Sequence, residues 1–225
     1  MENKPQVETN VVKPSLTIFE NETEYRLISL ESETSLDSAI DKIEQFIKSN
    51  NGTGKTEDEK DMLYYDAKQL WNQYAAILRD VEFTFYLNRK QYQYLTELLR
   101  DKLEYDVNTI FLAIELTDML GQWITEGSAK DDITIKGYKS DATEITYIYH
   151  LIAKHKVKGL SNSSYMFAQV LRKIGEISKV INYYDTSAKN LSTDIQKWVA
   201  SWESSSSVEA EVVKPSKKKK ESTEA

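Results

Sequence analysis

The chain has 225 residues, 40% hydrophobic and 11% aromatic, with a net charge of −7. That composition belongs to a folded protein, and the length allows one large domain or two small ones. Cysteine is absent, which excludes disulfides, thiolate metal sites and cysteine nucleophiles.

Residues 1–14 read as a polar arm. The opening M-E-N-K-P-Q-V-E-T-N has no apolar core segment, so no signal peptide is expected. The arm ends in V-E-T-N-V-V-K-P-S, residues 7–15. Leu16–Phe19 and Tyr25–Leu30 carry β formers around a polar turn at Asn21–Thr23, which predicts an N-terminal hairpin. Thr34 to Asp37 resembles a capping box, and Leu36, Ala39, Ile40, Ile43 and Ile47 follow at helical spacing until Asn50-Asn51-Gly52. Thr56-x-x-Glu59 opens the next helix, whose inward stripe is Leu63, Ala67, Leu70, Tyr74, Ile77 and Leu78.

Residues 81–87 alternate with period two and read either as a strand or as a passage between helices. Asn88-x-x-Gln91 is a fresh N-cap. From Tyr92 to Trp123 the spacing predicts one long central helix, apolar nearly all round. Its richest part, Val107 to Ile124, is interrupted by Asn108, Thr109, Glu115, Thr117 and Asp118, so it reads as a buried helix and not a membrane span. Residues 126–132 form a loop. A short strand near 132–136 would pair with 81–87. Asp141-x-x-Glu144 starts a helix that Lys158-Gly159 ends, and Ser163 or Ser164 starts another. Leu191 to Trp202 reads as a last amphipathic segment. Ser204–Ser207 begins a Ser/Lys/Glu-rich tail, 204–225.

The expected fold is therefore mainly α: a bundle of five or six helices with minor β elements and flexible arms at both ends. The globular body spans 15–203, with a division into sub-bundles 15–126 and 132–203 as a variant.

The tail repeats the arm. Residues 208–216 read V-E-A-E-V-V-K-P-S, identical to 7–15 at seven of nine positions. A repeat confined to two polar flanks is not a repeated fold unit, because neither copy has a core to share. It reads as a short recognition segment shown twice, or as shared linker composition. Val before Lys-Pro favours extended backbone, and two copies would add avidity for a multivalent protein partner. The candidate partner-binding residues are Val11, Val12, Lys13, Pro14, Val212, Val213, Lys214 and Pro215.

Charge is unevenly spread. Residues 20–66 hold 13 acids against 5 bases, and residues 133–180 hold 8 bases against 3 acids. Lys154, Lys156 and Lys158, with the run Lys217, Lys218, Lys219 and Lys220, could meet nucleic-acid phosphates. The whole chain is acidic, however, which ranks that reading second.

Catalytic signatures are weak. Gly52-Thr-Gly-Lys-Thr56 resembles the end of a phosphate-binding loop, but Ser49 stands where its first glycine belongs and a helix precedes it, so a connector is the better reading. His150 and His155 are five apart and do not share a helix face. Glu115 and Asp118 share a face on the apolar helix and are the one acid pair to weigh for acid–base work. Trp198, Trp202, Tyr183 and Tyr184 form an aromatic band better suited to a core than an interface. The expectation is a non-enzymatic assembly, adaptor or structural protein without cofactor or metal, cytoplasmic or virion-associated. The Lys, Asn, Ile, Glu and Tyr richness suits an AT-rich, phage-like genome.

Overall fold

The computed structural model describes residues 12–107, 109–125 and 135–209. Among these the chain is mainly helical, with two small antiparallel sheets. In order these are β1 (Thr17–Glu20), β2 (Thr23–Arg26), α1 (Leu30–Ser49), α2 (Glu57–Asp80), β3 (Phe83–Asn88), α3 (Arg89–Glu97), a π-helical turn (Leu98–Lys102), α4 (Ile110–Thr125), β4 (Ile135–Ser140), α5 (Ala142–Ala153) and α6 (Asn162–Glu209). They belong to two compact units. The first comprises Met1–Asp37 with Ala75–Ser187, and the second comprises Ser38–Tyr74 with Ala188–Ala225. Residues 126–132, expected to form a loop, lie outside the described residues; the described residues on either side of them fall in the first unit.

In the first unit, β1 and β2 pair from Thr17↔Arg26 to Glu20↔Thr23. Asn21 and Glu22 turn the chain with φ of 49° and 67°. Two left-handed residues match the twist of a tight hairpin, though only Asn adopts that region readily. The expected second strand ran to Leu30. It ends at Arg26: Leu27 still reaches Leu16, one pair further along, but its carbonyl and Ile28 turn to the strand at 83–88. Leu27 N donates to Leu16 O, Thr84 N donates to Leu27 O, and Ile28 bridges to Phe83.

Residues 81–87 resolve as a strand. β3 pairs with β4 from Phe83↔Ser140 to Asn88↔Ile135. Phe83, Phe85 and Leu87 face the core, as the period-two pattern requires. The β4 strand lies further along than the predicted 132–136, and residues 132–134 fall outside the described part. Gly137 does not end the strand; it lies within it. A Cβ there would meet Thr84 Cγ2 and Tyr86 Cε1 at 2.9 Å, so the glycine makes room for a neighbouring side chain.

Three helix expectations need correction. Helix α1 starts at Leu30 rather than after Thr34. The Ser29 hydroxyl accepts from Ser32 N at 3.0 Å, while Thr34 Oγ1 donates back to Leu30 O inside the helix. The long central helix is broken. After the π-helical turn Leu103 is extended, with φ −95° and ψ 149°. The Tyr105 hydroxyl donates to Leu99 O at the end of the turn. Asp106 then caps a new helix, its carboxylate accepting from Thr109 N at 2.9 Å. Finally, α6 runs unbroken through the polar stretch 185–190 and the serines 204–207 to Glu209. No proline interrupts it, and Ser187 and Thr193 satisfy their hydroxyls on carbonyls four residues back, at Tyr183 and Lys189.

The first unit's interior holds one charged group the sequence does not advertise. Lys173 on α6 is only 5% exposed. Its ammonium donates to Glu20 of β1 at 2.7 Å and to Gln91 Oε1 on α3 at 3.0 Å, and the Gln91 amide donates to Gln169 at 3.1 Å. A charge so buried is tolerated because it is paired and hydrogen-bonded.

The second unit is pinned by indoles. Trp198 Nε1 donates to Asn50 O at 3.0 Å, and Trp71 Nε1 donates to Ala188 O at 2.9 Å. Trp198 meets Trp202 edge-on at 4.6 Å. Gly52 lies under the Trp202 ring, where a Cβ would stand 2.3 Å from Cδ2. The aromatic band is core at Trp202 and Tyr184.

Gly52→Ala should therefore destabilise the second unit by about 1–3 kcal/mol through overpacking. The neighbouring Thr53→Ala should be near neutral, and thermal unfolding of both variants checks this. Lys173→Ala should cost about 3 kcal/mol by stranding Glu20, with most of the loss recovered in Lys173→Met combined with Glu20→Gln. Chemical denaturation measures that pair, and equal losses in the single and double variants would contradict the assignment.

Candidate functional site

Of the two V-V-K-P-S copies, the first is partly seated on the fold. Val11 lies outside the described residues, and Val12 is 83% exposed. The next residue turns inward. The Lys13 ammonium donates to Glu33 Oε1 at 3.1 Å and to Asp37 Oδ2 at 2.7 Å. Glu33 and Asp37 are four apart on α1 and so share one helix face, where alone they would repel. Arg26 approaches Glu33 from the hairpin, its Nη2 donating to Oε2 at 2.6 Å. Two cations from two segments thus neutralise two carboxylates on one helix.

Pro14 is half-buried, and Ser15 Oγ donates to Thr17 O at 2.8 Å, which shapes the entry into β1. Partial burial alone would lower the Lys13 pKa, but the hydrogen bonds and charges of Asp37 and Glu33 reverse this and hold it above the ordinary lysine value. Behind the carboxylates, the buried Tyr184 phenol is pushed up chiefly by desolvation, with Asp37 and Glu33 adding to it. Exposed pairs of this kind contribute about 0.2–1 kcal/mol each, so the seat is weak enough to open.

This seat is hidden in the sequence because Asp37 also fits a capping box with Thr34. The available signal was the i, i+4 acid pair Glu33 and Asp37 on a helix face.

The other candidate residues are not gathered with it. Val212, Val213, Lys214, Pro215 and Lys217 to Lys220 lie outside the described residues. Lys154 sits at the end of α5, and Lys156 and Lys158 are exposed in the loop after it. Lys154 and Lys156 share a cavity of about 500 Å³ with Lys102, but Glu104 and Asp106 also line it, so a phosphate chain there would meet both signs.

Glu115 and Asp118 are both exposed on α4. Asp118 borders a cavity of about 310 Å³ together with Leu99, Tyr105, Ile110 and Ile114. His150 borders another of about 530 Å³ with Arg79 and Asp185, and His155 lies edge-on to Phe167 at 5.5 Å. Among the described residues no cluster of His, Asp and Glu could hold a metal ion. Gly52–Thr56 connects α1 to α2. The Glu59 carboxylate accepts from Thr56 N and Oγ1, and these bonds lower its pKa.

One further feature was not foreseen. The break before α4 leaves Val107 81% exposed, Phe111 70% and Ile114 51%. A stripe assigned to the interior is therefore partly on the surface. The carriers of the signal are Asp106-x-x-Thr109, a capping pair hidden inside an apolar pattern.

The Lys13 tether has a defined pH window. Because its folded pKa is raised, the pair contributes fully below the unfolded value near 10.5 and is lost as pH rises through the higher folded value. Lysine side-chain NMR should show the resonance that Lys13→Ala removes titrating above the other surface lysines. A midpoint no higher than theirs would contradict the pairing. No family model, curated protein or solved structure matches this chain.

Proposed function

We propose that this chain is a non-enzymatic assembly, adaptor or structural protein, in which a helical-bundle body docks a larger complex through the V-V-K-P-S segments of its terminal arms, in the cytoplasm or on a virion. The observation that carries this reading is the seating of Lys13 between Glu33 and Asp37. It gives the segment a physical mode of recognition: an ammonium set into an acidic helix face, with the adjoining Val12 presented to solvent. The exposed apolar residues Val107, Phe111 and Ile114 add a second surface suited to a protein partner. No described helix is long and apolar enough to cross a membrane.

A second reading is an accessory nucleic-acid protein that uses Lys154, Lys156, Lys158 and Lys217 to Lys220. The shared cavity of Lys102, Lys154 and Lys156 favours it, and the acids on the same rim oppose it.

Light scattering separates the two. The full chain should form oligomers or co-purify with a larger complex, and deletion of residues 210–225 should abolish that association. A monomer indifferent to that deletion would sink the docking reading. Retention on DNA or RNA at low salt, lost on removing Lys217 to Lys220, would install the second reading instead.

A further inference from the structure

The chain carries two copies of the docking segment, while the described residues show one seat, and that seat already holds the N-terminal copy. We propose that the Glu33–Asp37 face takes either copy, and that the C-terminal copy of a second chain exchanges into it, linking molecules head to tail. This rests on the docking function proposed above and names its partner: another copy of this polypeptide.

The fit is residue by residue. What the seat holds is one ammonium on two carboxylates, followed by Pro14 and by Ser15, whose hydroxyl bonds a backbone carbonyl two residues on. Lys214-Pro215-Ser216 supplies the same ammonium, the same fixed φ and the same hydroxyl. The carbonyl two residues beyond is main chain, which any residue provides.

The match ends after the serine. Leu16 follows in the first copy and is buried, whereas Lys217 follows in the second. Exchange therefore replaces residues 12–15 alone, while Leu16 and β1 stay in place. The second copy compensates electrostatically. Lys217 to Lys220 would follow toward the hairpin, whose residues include Glu20, Glu22 and Glu24.

Energetically the two states are close. Each keeps the Lys–carboxylate pairs and the buried Leu16; the closed state adds a covalent tether, the exchanged state four extra lysines. Swapping an identical element between molecules is a low-cost route to association, and a head-to-tail contact of this kind propagates into rings or chains. The tether's high effective concentration keeps the N-terminal copy seated in dilute solution.

A zero-length carbodiimide coupling reads the pairs directly, because it joins an ammonium to the carboxylate that it touches. The full-length chain is used as an equal mixture of isotopically light and heavy protein, digested and sequenced by mass spectrometry. Wild type should give mainly Lys13 joined to Glu33 or Asp37 within one chain. In Lys13→Ala, Lys214 should couple to Glu33 or Asp37 about fivefold more than in wild type, in light–heavy pairs, and less at high salt. Lys13→Ala combined with Lys214→Ala should lose these products.

Coupling of Lys214 no greater than that of Lys217 to Lys220, or confined to light–light and heavy–heavy pairs, would overturn the exchange. Light scattering of the same samples keeps the two levels apart. Arm-dependent association without the Lys214 product removes this inference and leaves the adaptor reading standing. Loss of both removes both.

Discussion

The first unit is organised around a lysine buried on its charged partner. Lys173 ties β1 through Glu20 and α3 through Gln91 to the same turn of α6. Charge buried to that depth needs its partners, so the three elements have one compatible arrangement. Everything on the hairpin inherits that placement. Arg26 reaches Glu33, Leu27 takes Leu16 and Thr84, and the segment before β1 is led across the face of α1.

That inheritance is what sets the segment before β1 against α1. Lys13 is a short step from the hairpin, and α1 presents two carboxylates at the spacing that one ammonium can bridge. The contact is weak in water and mostly electrostatic. A deeper, apolar seat would fix the arm permanently. Phe111 and Ile114 on α4 are of another kind, apolar side chains that face solvent.

How far the sequence could be read depended on whether a signal was local. Capping at Asn88-x-x-Gln91, Thr56-x-x-Glu59 and Asp141-x-x-Glu144 was legible, because each box is closed by residues three apart. The β3 alternation was legible for the same reason. The break before α4 was not, because Asp106 and Thr109 sit among apolar residues that mimic a continuing stripe. The continuity of α6 was misjudged in the opposite direction: a polar stretch reads as a boundary, but without Pro a helix crosses it at little cost.

Composition and periodicity alone determined a mainly helical chain with minor β structure and the identity of its two flanking repeats. Those properties are carried by neighbouring residues, a few positions apart. Only the tertiary structure decided that Lys13 meets Glu33 and Asp37, that Lys173 is buried on Glu20, and that Phe111 faces outward. Each of these joins residues distant in the chain, or exposes one by a bend elsewhere, and such pairings are set by packing rather than by any local pattern.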